Sequence, residues 1–133
     1  MTHLLDSNTC IGYLRGKNVK LRTRVDSTPA ADIALCTIVL AELLFGAAKS
    51  RDPVGERTKV DALAAPYACL SFDPAAAVEY ARVRLDLDSR GLMIGGNDLL
   101  IASIALANGL KVVTHNTAEF GRVTGLTVED WEV

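Results

Sequence analysis

Four carboxylates in this chain stand in surroundings that do not suit a charge. Asp6 ends the apolar run "HLLD", and Glu42 is the only charge in "IVLAELLFGAA". Asp98 opens "DLLIASIALA", and Glu119 follows "VVTHN", with the polar Asn116 between them. An unpaired carboxylate among apolar neighbours is expensive, so each must meet a cation, a metal ion or a hydrogen-bonding network. Cys10, Cys36 and Cys69 are odd in number, fit no zinc spacing, and are expected to be small buried thiols. With no matching set of His or Cys ligands, the acids suggest an all-oxygen site for a hard cation, Mg²⁺ or Mn²⁺. Such an ion orients a water, lowers its pKa and stabilises charge on a phosphate undergoing hydrolysis. Each acid also has a purely structural reading. Asp6 and Asp98 suit helix N-termini, Glu42 could pair with an arginine, and Glu119 could be surface loop. No Ser/His or Cys/His pair offers a covalent route; His3 lies in the first strand, and His115 is expected to flank the site as a partly exposed neighbour.

The elements that would position these residues alternate between strand and helix. Residues 2–6 read as a short strand, and "SNT" caps a helix that ends near Gly16. "NVKLRTRVDS" reads as a polar helix whose buried face is Val19, Leu21 and Val25. A buried strand at 33–36 leads through Thr37 into an apolar helix at 38–48, expected to be buried nearly all round. Asp52-Pro53 and Asp73-Pro74 each open a further helix, with a strand at 68–72 between them. Val78, Ala81 and Leu85 fall at helical spacing in the second of these, which stops at Gly91. A helix from about Asp98, Gly109 as the residue past its end, a strand at 111–114 and a last strand near 126–128 complete the chain. Alternation of this kind implies right-handed crossovers and a parallel sheet covered by helices on both faces, an α/β fold. Ligands of such sheets bind beyond the carboxyl ends of the strands, where Asp6 and residues 115–119 fall.

With 133 residues, half of them apolar, the chain has enough material for one well-buried domain, 1–133. A formal net charge of −2 argues against a charge-driven nucleic-acid coat but leaves room for a local basic patch. Arg15, Lys17, Lys20, Arg22 and Arg24 form one, suited either to RNA phosphates or to a solvated helix face. Tyr13 and Phe45 are expected to pack in the core rather than stack on a base, and Trp131 to anchor the C-terminus. "MTHLLDSN" has no basic or long apolar leader, so a soluble cytoplasmic protein is expected.

"HLLDSNTCIGYLRG", "TIVLAELLFGAAKS" and "IGGNDLLIASIALANGLKVVTHNTAEFGRVTGLTVEDW" together resemble the PIN domains of VapC-type toxins. The resemblance implies a metal-dependent ribonuclease acting on a tRNA or mRNA. It also implies inhibition by a cognate VapB-type antitoxin, and usually a homodimer. Residue by residue, it implies that Asp6, Glu42, Asp98 and Glu119 hold Mg²⁺ or Mn²⁺, with Asn116 at a polar position where some relatives carry aspartate. Ser7 and Thr9 are candidate supporting polar groups. Two rival families fit the residues less well. Haloacid-dehalogenase phosphatases need a second Asp where Asn8 stands, and a receiver-like module that only binds a regulatory cation gathers its acids on loops, unlike Glu42.

Overall fold

The computed structural model describes all 133 residues, Met1–Val133. Five strands, β1 (His3–Leu5), β2 (Ile33–Cys36), β3 (Ala68–Leu70), β4 (Lys111–Val113) and β5 (Val128–Glu129), form one sheet in the order β3-β2-β1-β4-β5. Every pairing is parallel, and Leu4 of the central strand pairs with Ala34 on one side and Val112 on the other. Those three residues have no exposed surface, as a sheet covered on both faces requires. The α/β architecture with a central parallel sheet is therefore as the sequence predicts.

Seven helices complete the structure: α1 (Ser7–Arg15), α2 (Val19–Ser27), α3 (Thr37–Ala48), α4 (Pro53–Ala64), α5 (Pro74–Arg90), α6 (Gly96–Ala107) and α7 (Thr117–Phe120). Caps define their starts. Asp52 and Asp73 accept from Gly55 N at 3.1 Å and Ala76 N at 2.9 Å, each worth about 1 kcal/mol. Asn18 does the same for α2 and also ties it to the C-terminus by donating to the Glu132 carbonyl at 3.1 Å. No helix is long and apolar enough to cross a membrane.

Several expectations fail in instructive ways. On α5 the buried stripe is Ala76, Val83 and Leu87, while Val78 and Leu85 are about 70% exposed (70% and 72%). Both stripes have helical spacing; periodicity cannot choose between them, and packing against α6 does. Only Val39, Leu43 and Ala47 of α3 are buried, so that helix is not enclosed all round, and Phe45 is 65% exposed rather than in the core. Val19 is exposed where Leu21 and Val25 are buried, and Cys69 is exposed on the edge strand while Cys10 and Cys36 are buried. Trp131 is buried and does anchor the C-terminus.

Candidate active site

Parallel strands bring the beginnings of α1, α3 and α7 to one edge, because each follows directly on β1, β2 or β4. Asp6 is the last residue before α1, and its carboxylate does two jobs. One oxygen caps the helix by accepting from Thr9 N at 2.8 Å; the other accepts from Thr114 Oγ1 at 2.5 Å. Thr9 in turn donates its hydroxyl to the Val113 carbonyl at 3.1 Å, so both threonines lock the start of α1 to the end of β4. Capping and site placement are thus not competing roles for Asp6. Burial raises its pKa; the bonds from Thr114 and Thr9 oppose that shift, and the Glu42 charge adds to it.

Glu42, half-buried on α3, accepts from Ser7 Oγ at 2.6 Å and meets no arginine. Glu119 on α7 accepts from Asn116 Nδ2 at 2.7 Å, and Asn116 N donates to Thr114 Oγ1 at 2.9 Å. Asp98 caps nothing. α6 begins at Gly96, with Gly95 as the capping residue, which places Asp98 within the first turn facing the other acids. Its pKa is raised to about 6 by burial, then by the charges of Asp6 and Glu119, a hydrogen bond with Glu119, and the charge of Glu42. Four carboxylates from four elements therefore share one electrostatic neighbourhood. None of them forms an ion pair with any Lys, Arg or His. Oxygen donors gathered without a counter-charge, each raising the cost of the others' ionisation, fit a hard divalent cation.

A second gathering of donors, capable of holding a divalent metal, escaped the sequence reading. His115 Nδ1 lies 2.9 Å from Asp130 Oδ2 and 3.7 Å from Glu132 Oε2, and one donor atom from each residue fits within 4.8 Å. Those two acids raise the pKa of His115, with the hydrogen bond to Asp130 foremost. The signal was the acid pair in "VEDWE", read only for its tryptophan. Of the five basic residues singled out, Arg15 lines a groove that also holds Ser7 and Glu42. Arg24 is diverted: its guanidinium sits 4.8 Å over the Trp131 ring and 3.7 Å from Glu129. Arg22 lies over Gly16, and Lys17 and Lys20 stand in solvent. Tyr13 is half-buried against the core, as expected, and its hydroxyl donates to Asp26 at 2.5 Å.

Comparison with known proteins places this geometry. The PIN domain family matches residues 3–126. "Ribonuclease VapC2" of Rickettsia felis is 34% identical over 139 residues, covering 99% of both chains. The "tRNA(fMet)-specific endonuclease VapC" of Salmonella typhimurium is 34% identical over 128 residues, 96% of each chain. The chain is a PIN-domain protein closely related to the VapC toxins of VapBC toxin–antitoxin systems. Among solved structures, this PIN domain superposes on DNA-bound VapBC from Salmonella typhimurium with a TM-score of 0.93 at 34% identity, covering 98% of each chain. Relatedness and fold together support a VapC-like ribonuclease function.

Proposed function

We propose that this PIN domain is an endoribonuclease of the toxin class, cutting RNA phosphodiester bonds at a centre built from Asp6, Glu42, Asp98 and Glu119. The observation that carries this reading is that four acids converge with no cation of the chain's own beside them. These carboxylates would hold Mg²⁺ or Mn²⁺, which when bound would supply Lewis-acid stabilisation of charge on the scissile phosphate. The chain's own residues do the rest. Thr9 and Thr114 hold Asp6 in one orientation, Ser7 holds Glu42, and Asn116 holds Glu119. Asp98, whose pKa is raised by burial and by the charges of the other acids, completes the oxygen set. Asn116 in place of an acid leaves one negative charge fewer, which favours a single well-held ion over two.

Transfer RNA is the preferred substrate class, since relatives from Salmonella typhimurium and Shigella flexneri are named tRNA(fMet)-specific endonucleases; messenger RNA is second. Solved relatives are VapBC complexes, so a cognate VapB-type antitoxin is the expected inhibitor. An Arg or Lys from an extended or helical segment of it would neutralise the acids and occlude the centre. A homodimer is the expected assembly. Purified protein incubated with total tRNA and with an mRNA transcript should cleave only when Mg²⁺ or Mn²⁺ is added. Co-expression with the upstream reading frame should yield a stable, inactive complex. No cleavage of either RNA at any metal concentration would overturn the reading.

A further inference from the structure

A groove of about 1190 Å³ runs between α1 and α3, with α4 as its far wall, and its two ends differ in charge. At one end Ser7 meets Glu42 at 2.6 Å, inside the acidic centre. At the other end stand Arg15, the last residue of α1, and Lys49, just past α3. At 1.5 Å of rise per residue, Arg15 lies roughly 12 Å along α1 from Ser7, and Lys49 roughly 10 Å along α3 from Glu42. Neither cation is in an ion pair, whereas Lys59 on the far wall is neutralised by Glu56 at 3.0 Å. Between the ends, Glu42, Phe45 and Lys49 fall at i, i+3 and i+7, one stripe of α3. The Phe45 ring is 65% exposed, and Lys49 Nζ, 5.0 Å from its centroid, holds it by a cation–π contact.

Gly46 follows Phe45 on α3. A glycine inside a helix is less favourable than alanine, and a Cβ at Gly46 would meet nothing within 4 Å. No contact within the chain therefore calls for it. Its bare backbone lies in the groove beside the exposed ring.

We infer that this groove holds the single-stranded RNA flanking the cut bond, with one base stacked on Phe45 and backbone phosphates on Lys49 and Arg15. The inference rests on the ribonuclease reading above. A centre of four acids repels a polyanion, so the substrate needs positive charge close by, and these two free cations lie a nucleotide or two from Glu42. An exposed aromatic ring beside a cation is the usual platform for an unpaired base. Gly46 leaves room for the strand to approach the helix.

The test separates binding from cleavage. A fluorescein-labelled, mixed-sequence single-stranded oligoribonucleotide is titrated in EDTA and read by anisotropy, and cleavage is followed in parallel with Mg²⁺. Phe45→Ala should weaken binding by about tenfold and Phe45→Trp restore it. Lys49→Ala should lower the slope of log K against log salt by about 0.7, while Arg51→Ala, outside the groove, leaves it unchanged. Gly46→Ala should melt no lower than wild type yet bind RNA several-fold more weakly, which excludes misfolding as the cause. If wild type cleaves RNA and all three groove variants bind and cleave as it does, the groove assignment alone is overturned. The same holds if the variants lose capture of the co-expressed antitoxin but keep RNA binding, since the groove is then a protein-docking surface. If wild type neither binds nor cleaves RNA, the ribonuclease reading falls first and this one with it.

Discussion

Asp98 and Glu129 are carboxylates of one small protein in opposite environments. Glu129, on the edge strand β5, is surrounded by donors and positive charge. Its Oε1 accepts from Trp131 Nε1 at 3.0 Å and faces His3 Nε2 at 3.1 Å and Arg24 at 3.7 Å, and its Oε2 lies 3.2 Å from Lys111 Nζ. The Trp131 bond, with Lys111 and His3, holds its pKa below the usual range despite some burial. Asp98 has burial and three other acids for neighbours, and its pKa rises to about 6. The chain carries 14 lysines and arginines, enough to neutralise both groups, yet none pairs with the acids at the carboxyl edge. Glu129 is arranged for stability. Asp98 is arranged against it, and an arrangement that costs stability is accounted for by what it binds.

Replacing Asp98 is the strongest way to break this contrast. Asp98→Asn keeps the size but removes the charge, so cleavage should fall by about a hundredfold or more, as loss of a group supporting the metal implies. The stability of the metal-free protein should move the other way. A carboxyl whose pKa is raised on folding binds its proton more tightly in the folded state. Its stability penalty therefore grows as pH rises from about 3.8 to about 6 and persists above that. The variant should be more stable than wild type above pH 6, by about 1 kcal/mol once solvent screening of this half-buried group is allowed for. The gap should close near pH 4. Added Mg²⁺ should raise the melting temperature of wild type much more than that of the variant. Chemical denaturation in EDTA across this pH range decides it: an active but destabilised Asp98→Asn would make the residue a mere helix-dipole partner.

Ser7→Ala probes the same side of the comparison more gently. Ser7 touches no substrate in this reading; it orients Glu42 through the 2.6 Å bond. Removing the bond should weaken metal affinity by about tenfold to a hundredfold, with less effect on cleavage at saturating metal. Mn²⁺ titration by calorimetry reads this directly, and unchanged affinity would leave Ser7 as simple helix-start packing.

The two regions also differ in how far the sequence revealed them. The acids were legible because each interrupts apolar sequence, and a charge in such a place demands a partner. Strand–helix alternation then put Asp6 and Glu119 at one edge. Helix ends were less legible: Gly95 caps α6 without a side chain, so the start was placed two residues late and Asp98 looked like a possible cap. The Glu129 cluster was not legible at all. His3 and Arg24 lie far from Glu129 in sequence, in stretches of ordinary polarity, and only the return of the C-terminal strand beside β4 joins them. For the same reason neither reading of Arg24, an RNA contact or part of a solvated face, anticipates its place over Trp131. Phe45 and the buried stripe of α5 show a third limit. An apolar residue at helical spacing states that a face exists, and the neighbouring helix decides whether that face is covered.

Glu129→Gln should give the smallest effect and should fall wholly on stability. The amide can still accept from Trp131 Nε1, so the C-terminal anchor is kept, while the attraction to Arg24 and Lys111 is lost. Both cations are about half exposed, 54% and 47%, so their combined loss is worth only about 0.5–1 kcal/mol. A carboxylate whose pKa is lowered on folding contributes stability above its unfolded value, near 4.5, and loses it as pH falls through the folded one. The difference between wild type and variant should therefore be constant at neutral pH and vanish in acid, opposite in sign to that for Asp98→Asn. Cleavage and Mn²⁺ affinity should stay at the wild-type level, because Glu129 is not among the charges that act on Asp98. Melting curves at pH 7 and below pH 4, run beside the cleavage assay, check both halves. A Glu129→Gln protein that folds normally but cleaves poorly would show that the two regions are coupled through β4 and β5, and that the division between a stabilising and a functional carboxylate does not hold.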